Sequence, residues 1–264
     1  MKKAGFFLVP VVFILMFTVV VPRVFSGGVS KSSIILICVA MLAALFLFRP
    51  KRPATKSAET IAKDILDDYC ADAFSQEEAL KSRFYAALND IGGNCPKAAV
   101  AKLKKLELLC AGSREKYAVA VASALAYRNQ QDLKSAIREY NKAVVLNPTA
   151  GLAYTIGECN QRLGYLEKAR DSYEFACELD PENPQYYSVI GTTYVGSGDY
   201  DTAMDYAMDA LERDGNYSQA LATLSICYGM KDDSVMQRHY QRLAAENGYS
   251  ESKIEDTIKA LKKR

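Results

Sequence analysis

The pattern of apolar and polar positions changes character near residue 50. Upstream stand two uncharged apolar runs, at residues 4–22 and 32–48; downstream, apolar residues recur at helical spacing almost to the end. The 19 positions of the first run span about 28 Å as a helix, and the 17 of the second about 25 Å, near the hydrocarbon thickness of a bilayer. Pro10 lies inside the first run, which a membrane helix tolerates better than a water-soluble one. Lys31 and Arg49 flank the shorter run and are placed to reach back to the interface. Gly27-Gly28 between the runs suits a tight turn, so residues 1–49 are expected to form a transmembrane helical hairpin.

Lys2, Lys3 and the amino terminus precede the first span, and Arg49, Lys51, Arg52 and Lys56 follow the second. The connecting turn carries only Arg23 and Lys31. Positive charge concentrates on the cytoplasmic side, so both ends are expected inside the cell membrane, with the soluble part facing the cytoplasm. A cleaved signal peptide ending near Val24-Phe25-Ser26 is the rival reading. It leaves the later part of the chain where it was, because the second run would still cross inward. Only failure of one run to span would place the soluble part outside.

A short proline-containing linker, residues 50–56, leads into the helical part. A first helix is expected over about 57–69, with Ile61, Ile65, Leu66 and Tyr69 on one face. Ser75 with Glu78 reads as a capping box opening a second helix that Gly92-Gly93 ends. Pro96 fits the first turn of a third, with an apolar stripe of Val100, Leu103, Leu106 and Leu109–Cys110. Its Lys97, Lys102, Lys104 and Lys105 read as a solvated face, with contact to anionic headgroups as the alternative.

From residue 117 the chain repeats itself. Ala136, Ala169 and Ala203 are followed four positions on by Tyr140, Tyr173 and Ala207, and seven on by Ala143, Ala176 and Ala210. Upstream, Ala124, Gly157, Gly191 and Ser225 recur at steps of 33, 34 and 34, each followed three positions on by Tyr127, Asn160, Tyr194 or Tyr228. Pro148 and Pro181 close their units in the words VLNP and ELDP, and Gly215 takes that place in the third. Small residues at a fixed step mark where two helix backbones cross closely, and the aromatics fill the neighbouring holes. Gly164, Ser197-Gly198-Asp199 and Lys231-Asp232-Asp233 turn one helix into the next, and Asn183-Pro184 reads as a helix cap with proline at the first position. One such pair cannot bury its apolar side alone, so the pairs stack.

This pattern resembles the tetratricopeptide repeat family over about residues 117–248. The best unit, 150–183, carries Ile156, Gly157, Leu163-Gly164, Ala169, Tyr173, Ala176 and Pro181 at the family's skeleton positions, while Asn160 departs from the usual aromatic. Gln237 and Gln241 depart in the last unit, which reads as a closing one. Residues 249–264 resemble the polar terminal helix that seals such arrays, with Ile254, Ile258 and Leu261 inward. Residues 57–116 are either degenerate repeats or a helical adaptor. The expected fold class is therefore all-α: a transmembrane hairpin followed by an α-solenoid, a bacterial-type membrane-anchored scaffold.

Charge divides the chain in the same way. Of 33 lysines and arginines and 31 aspartates and glutamates, residues 1–52 hold seven basic and no acidic; the remaining 26 and 31 give the rest a formal charge of −5. Such a surface is a poor nucleic-acid partner, which needs clustered cations. The seven cysteines form no C-x-x-C pair, and His239 is the one histidine, so no metal site or disulfide framework is expected; cysteine serves as a small buried residue in a reducing compartment. No nucleophile setting or glycine-rich phosphate loop stands out, so neither catalysis nor a cofactor or small-molecule substrate is expected. An enzyme whose site lies within 57–116 is a third hypothesis, and an envelope assembly or secretion factor outside the cell is the second. The family resemblance implies instead a groove lined by the first helix of each unit that holds a partner peptide or protein. Its lining would be Tyr154, Glu158, Gln161 and Arg162, then Gln185, Ser188, Thr192 and Val195, then Gln219. The lysine-and-asparagine set that grips a chaperone's terminal carboxylate in some members is missing.

Overall fold

The computed structural model describes residues 60–62, 69–70 and 72–263, all within one compact unit spanning 55–264. The expected membrane spans at 4–22 and 32–48 lie outside the described residues. Among the described residues no helix is long and apolar enough to cross a membrane. Among the described residues, eleven helices follow a short helical stretch at 60–62. They are α1 (Glu78–Gly92), α2 (Pro96–Glu107), α3 (Ser113–Asn129), α4 (Leu133–Leu146), α5 (Ala150–Arg162), α6 (Leu166–Leu179), α7 (Pro184–Ser197), α8 (Tyr200–Arg213), α9 (Ser218–Met230), α10 (Ser234–Glu246) and α11 (Glu251–Leu261). Each pair packs within itself, and the second helix of a pair packs on the first helix of the next. The result is an all-α solenoid.

The turn inside each repeat is built the same way four times. Gln131, Gly164, Gly198 and Asp232 all take the left-handed conformation, at the same 33- and 34-residue steps. Two are glycines, which adopt it freely; Gln131 and Asp232 hold it against a steric cost of about 1 kcal/mol. Each left-handed residue hands the chain to a helix cap. Asp132, Asp199 and Asp233 accept hydrogen bonds from the amides of Ser135, Thr202, and Val235 and Met236. Tyr165 stands in the same place before α6 and caps nothing with its side chain. Asn183 caps α7 through the Gln185 amide, ahead of Pro184, as expected.

Close helix crossing produces the core. A Cβ placed on Gly157 would fall 2.3 Å from the fully buried Tyr173 ring, so α5 and α6 approach to a distance that only glycine allows. At Gly191 a Cβ would sit 3.1 Å from the Ala203 carbonyl oxygen. Ala124, Ala136, Ala143, Ala169, Ala176, Ala203, Ala207 and Ala210 are all fully buried. Each removes little area from water, but each lets a neighbouring large side chain meet dense packing.

The ends of the array differ. Helix α9 is buried nearly all round, because α7, α8, α10 and α11 all pack on it. Ile254 and Ile258 of α11 are buried and Leu261 is half-buried, so the terminal helix seals the last unit as anticipated. Lys262 pairs with Asp232 at 2.6 Å and pins that helix to the preceding turn. At the other end α1 and α2 pair and stack on α3.

Three local expectations need correction. The Ser75–Glu78 capping box does not form: Ser75 is held in a turn by a hydrogen bond from its amide to Asp72, and α1 starts at Glu78 after an uncapped Glu77. Leu109 is half exposed rather than part of the α2 stripe, since α2 ends at Glu107 and Leu109 lies in the following turn. Cys95 is exposed at the α2 cap position, unlike the buried Cys70, Cys110, Cys159 and Cys227. Of the first expected helix, only 60–62 are described as helical, with Ile61 buried, and Tyr69 lies in a turn.

Gly157→Ala is expected to destabilise the chain by about 2–3 kcal/mol, because the added methyl must displace the Tyr173 ring. Gly196→Ala, where a Cβ meets nothing within 4 Å, is expected to stabilise by about 0.5 kcal/mol through helix propensity. Urea midpoints of the two variants check the pair; equal shifts would reject the crossing as the origin of the pattern.

Candidate functional site

On α5, the first helix of the second unit, Gln161 and Arg162 are exposed and Glu158 is half-buried. Tyr154 is half-buried, its ring 5.6 Å from Tyr173 and 5.7 Å from Tyr186, so three rings bridge the second and third units. The Tyr173 hydroxyl donates to Gln161 Oε1 at 2.9 Å, which fixes the orientation of that exposed amide. Arg162 donates through Nη2 to Gln131 Oε1 in the preceding turn, and so explains what the strained Gln131 does: its side chain ties two repeats together. Burial pushes the Tyr154 phenol up; a hydrogen bond with Gln185 opposes that shift, and the nearby Glu158 carboxylate adds to it. Tyr154, Glu158, Gln161, Arg162 and Gln185 thus form one polar and aromatic patch.

The remaining expected positions divide. Ser188 is fully buried and its hydroxyl finds no hydrogen-bond partner, and Val195 is buried among Leu221, Ala222 and Ile226. Neither lines an open groove, and the cause is tertiary: α7 and α9, the first helices of successive units, pack directly on one another. Thr192 is half-buried with its hydroxyl donating to the Val189 carbonyl, and Gln219 is half-buried on α9. The sequence reading missed the α3 side. Val121, Leu125 and Arg128, all half-buried, stand one 33-residue step before Tyr154, Glu158 and Gln161. The repeat step was the signal that could have found them. Arg128 and Arg162 both lie close enough to Cys159 to oppose the rise that burial imposes on its thiol.

Among the described residues no group of histidine, cysteine, aspartate or glutamate could hold a metal ion. His239 is exposed and rests edge-on against Tyr240.

A model of the tetratricopeptide repeat matches residues 118–149, 150–183 and 184–217. Residues 118–217 therefore carry three tetratricopeptide repeats within the all-α solenoid. It is 30% identical over 99 residues to Hsp70-Hsp90 organizing protein 2 of Arabidopsis thaliana, a match covering 37% of this chain and 17% of that protein. This chain thus spans about a sixth of that relative's length. Its fold is similar to that of YrrB, described as a TPR protein with an unusual peptide-binding site, with a TM-score of 0.55 and 16% identity over 75% of this chain and 99% of that one. A tetratricopeptide repeat protein from Parabacteroides merdae aligns with a TM-score of 0.61 and 16% identity, over 70% of this chain and 72% of that one.

Burial pushes Tyr140, Tyr206 and Cys227 up to about 12, and Cys110 and Cys177 to about 11. All are raised, so the folded state favours their neutral forms. Their contribution to stability is complete below the ordinary thiol and phenol values and is lost as pH climbs through the raised ones. The melting temperature is expected to hold steady up to about pH 9 and to fall from there towards pH 12, with part of the phenolate absorbance appearing only as the chain unfolds. Titration of every tyrosine near its ordinary value in the folded chain would contradict the packing described.

Proposed function

We propose that this protein is a membrane-tethered scaffold that binds partner proteins or peptides through the face built on α3 and α5, and that it catalyses nothing. The observation that carries this reading is the patch of Tyr154, Glu158, Gln161, Arg162 and Gln185 on the first-helix side of the matched repeats, the side on which solenoids of this class offer an extended surface. Tyrosine and arginine supply large contact area with a polar end, and dominate many interfaces for that reason. Val121 and Leu125 extend the patch with apolar area, which suits a peptide of modest charge. The apolar runs at 4–22 and 32–48 supply the anchor, and the arrangement of lysine and arginine favours a cytoplasmic body. A tether raises the local concentration of anything bound near the membrane. The alternative is an envelope assembly or secretion factor with the repeats outside the cell.

A photo-crosslinking residue at position 161 of the full chain is expected to capture discrete partners that the same residue at exposed Glu178 does not. Glu158→Arg should reduce that capture severalfold while leaving the melting temperature within a degree or two of the parent. Equal capture from both positions would reject this face. Sidedness can be read from the natural thiol at Cys95: a membrane-impermeant maleimide is expected to label it only after permeabilisation. Labelling in intact cells would instead favour the repeats outside.

A further inference from the structure

Across the four units of the array, positions three and fifteen residues after the small crossing residue face one another. In the third unit they are Tyr194 and Tyr206, stacked at 5.7 Å with ring planes 13° apart. In the fourth they are Tyr228 and Tyr240, stacked at 5.5 Å and 6°. The first unit has Tyr127 and the buried Glu139, whose carboxylate pairs with Lys142 at 2.9 Å. The second unit has Asn160 and Ser172, and no ring at all. An open notch of about 510 Å³ lies there between α4, α5 and α6.

The notch is more than a defect in packing. Asn160 is a buried polar residue at its base. Ile137, Ile156 and Leu163 supply apolar walls. Tyr165 stands on the rim, at the position where every other turn places its capping aspartate, so the same unit departs from the pattern a second time at the same place. Lys168 lies 5.5 Å over the Tyr165 ring, and Lys134 lines the opposite edge from α4. Asp171 is the single acidic group in the lining, so the notch carries one net positive charge.

We propose that this notch is a second binding site, separate from the α3–α5 face, and that it takes an aromatic side chain from an acidic segment of a partner protein. The incoming ring fills the place that the stacked tyrosine pair fills in the third and fourth units, against Tyr165 and the apolar walls. A backbone or side-chain polar group of the partner meets the amide of Asn160. Carboxylates beside the ring meet Lys134 and Lys168, whose attraction exceeds the repulsion from Asp171. Aromatic contact with a polar neighbour and flanking charge is the usual chemistry of a strong interface contact.

The test uses the full-length chain and a fluorescein-labelled synthetic peptide of glutamates around one central phenylalanine, followed by anisotropy. Saturable binding that weakens with salt is expected. Asn160→Tyr, which restores the ring that Tyr127, Tyr194 and Tyr228 place in the other units, should weaken binding at least about tenfold while the melting temperature holds or rises. Lys134→Glu with Lys168→Glu, and separately a peptide with alanine for phenylalanine, should each weaken it by a similar factor. Absence of saturable binding overturns the proposal. So does unchanged binding by Asn160→Tyr, or by the alanine peptide, which would mean charge attraction alone. Self-association that Asn160→Tyr abolishes, without peptide binding, would assign the notch to a second copy of the chain and likewise overturn the peptide reading. Crosslinking from position 161 should be unaffected by Asn160→Tyr, which keeps the two surfaces distinguishable.

Discussion

Two helices of this chain can approach closely only where one of them has almost no side chain. At Gly157 the Tyr173 ring crowds the place of an added methyl group, at 2.3 Å, and at Gly191 the Ala203 carbonyl oxygen would stand 3.1 Å from it. That approach makes a thin, flat pair with an apolar side it cannot hide, so every pair needs a neighbour. The rest of the architecture follows. Polar ties such as Arg162 to Gln131, Tyr206 to Glu174 and Arg213 to the Pro181 carbonyl each reach back about one repeat, joining equivalent parts of adjacent units. Stability is thus a sum of neighbouring contacts, and both ends need closing. Helix α11 closes one end through Ile254, Ile258 and Lys262.

The same economy explains where function can reside. Positions that maintain the crossing are small and buried and have no freedom to recognise anything. Positions on the first-helix face and in the notch between α4, α5 and α6 lie outside that constraint. On the first-helix face the second unit is polar and open, whereas α7 is covered where it meets α9. Between the first and second helix of a unit, the third and fourth units fill their gap with stacked tyrosines and the second leaves it empty. Both surfaces thus centre on the unit formed by α5 and α6.

Much of the fold was legible in the residues. The alanines, glycines and aromatics at fixed steps marked the crossings, and the polar breaks marked the turns, because both depend on contacts within one repeat. Near residue 75 legibility failed: Ser75 and Glu78 have the right spacing for a cap, but a local turn claims the serine first. Leu109 misled for a related reason, since its helical register continues past Glu107, where the element that carries it ends. On the candidate face, Tyr154, Glu158, Gln161, Arg162 and Gln185 could be placed by analogy from one unit to the next. Ser188 and Val195 could not, because no periodicity records how closely α7 leans on α9.

By itself the sequence determined the helical pairs, their step, their turns and the stacking that results, since each depends on spacing along a few dozen residues. It also set the apolar and basic character of residues 1–52, on which the proposed anchor rests. Only the tertiary structure decided which helical faces stay open, which side chain meets the left-handed Gln131, and that Asn160 and Ser172 share a hollow with Tyr165. Those depend on distances between neighbouring units, which are set by curvature and packing rather than by spacing along the chain.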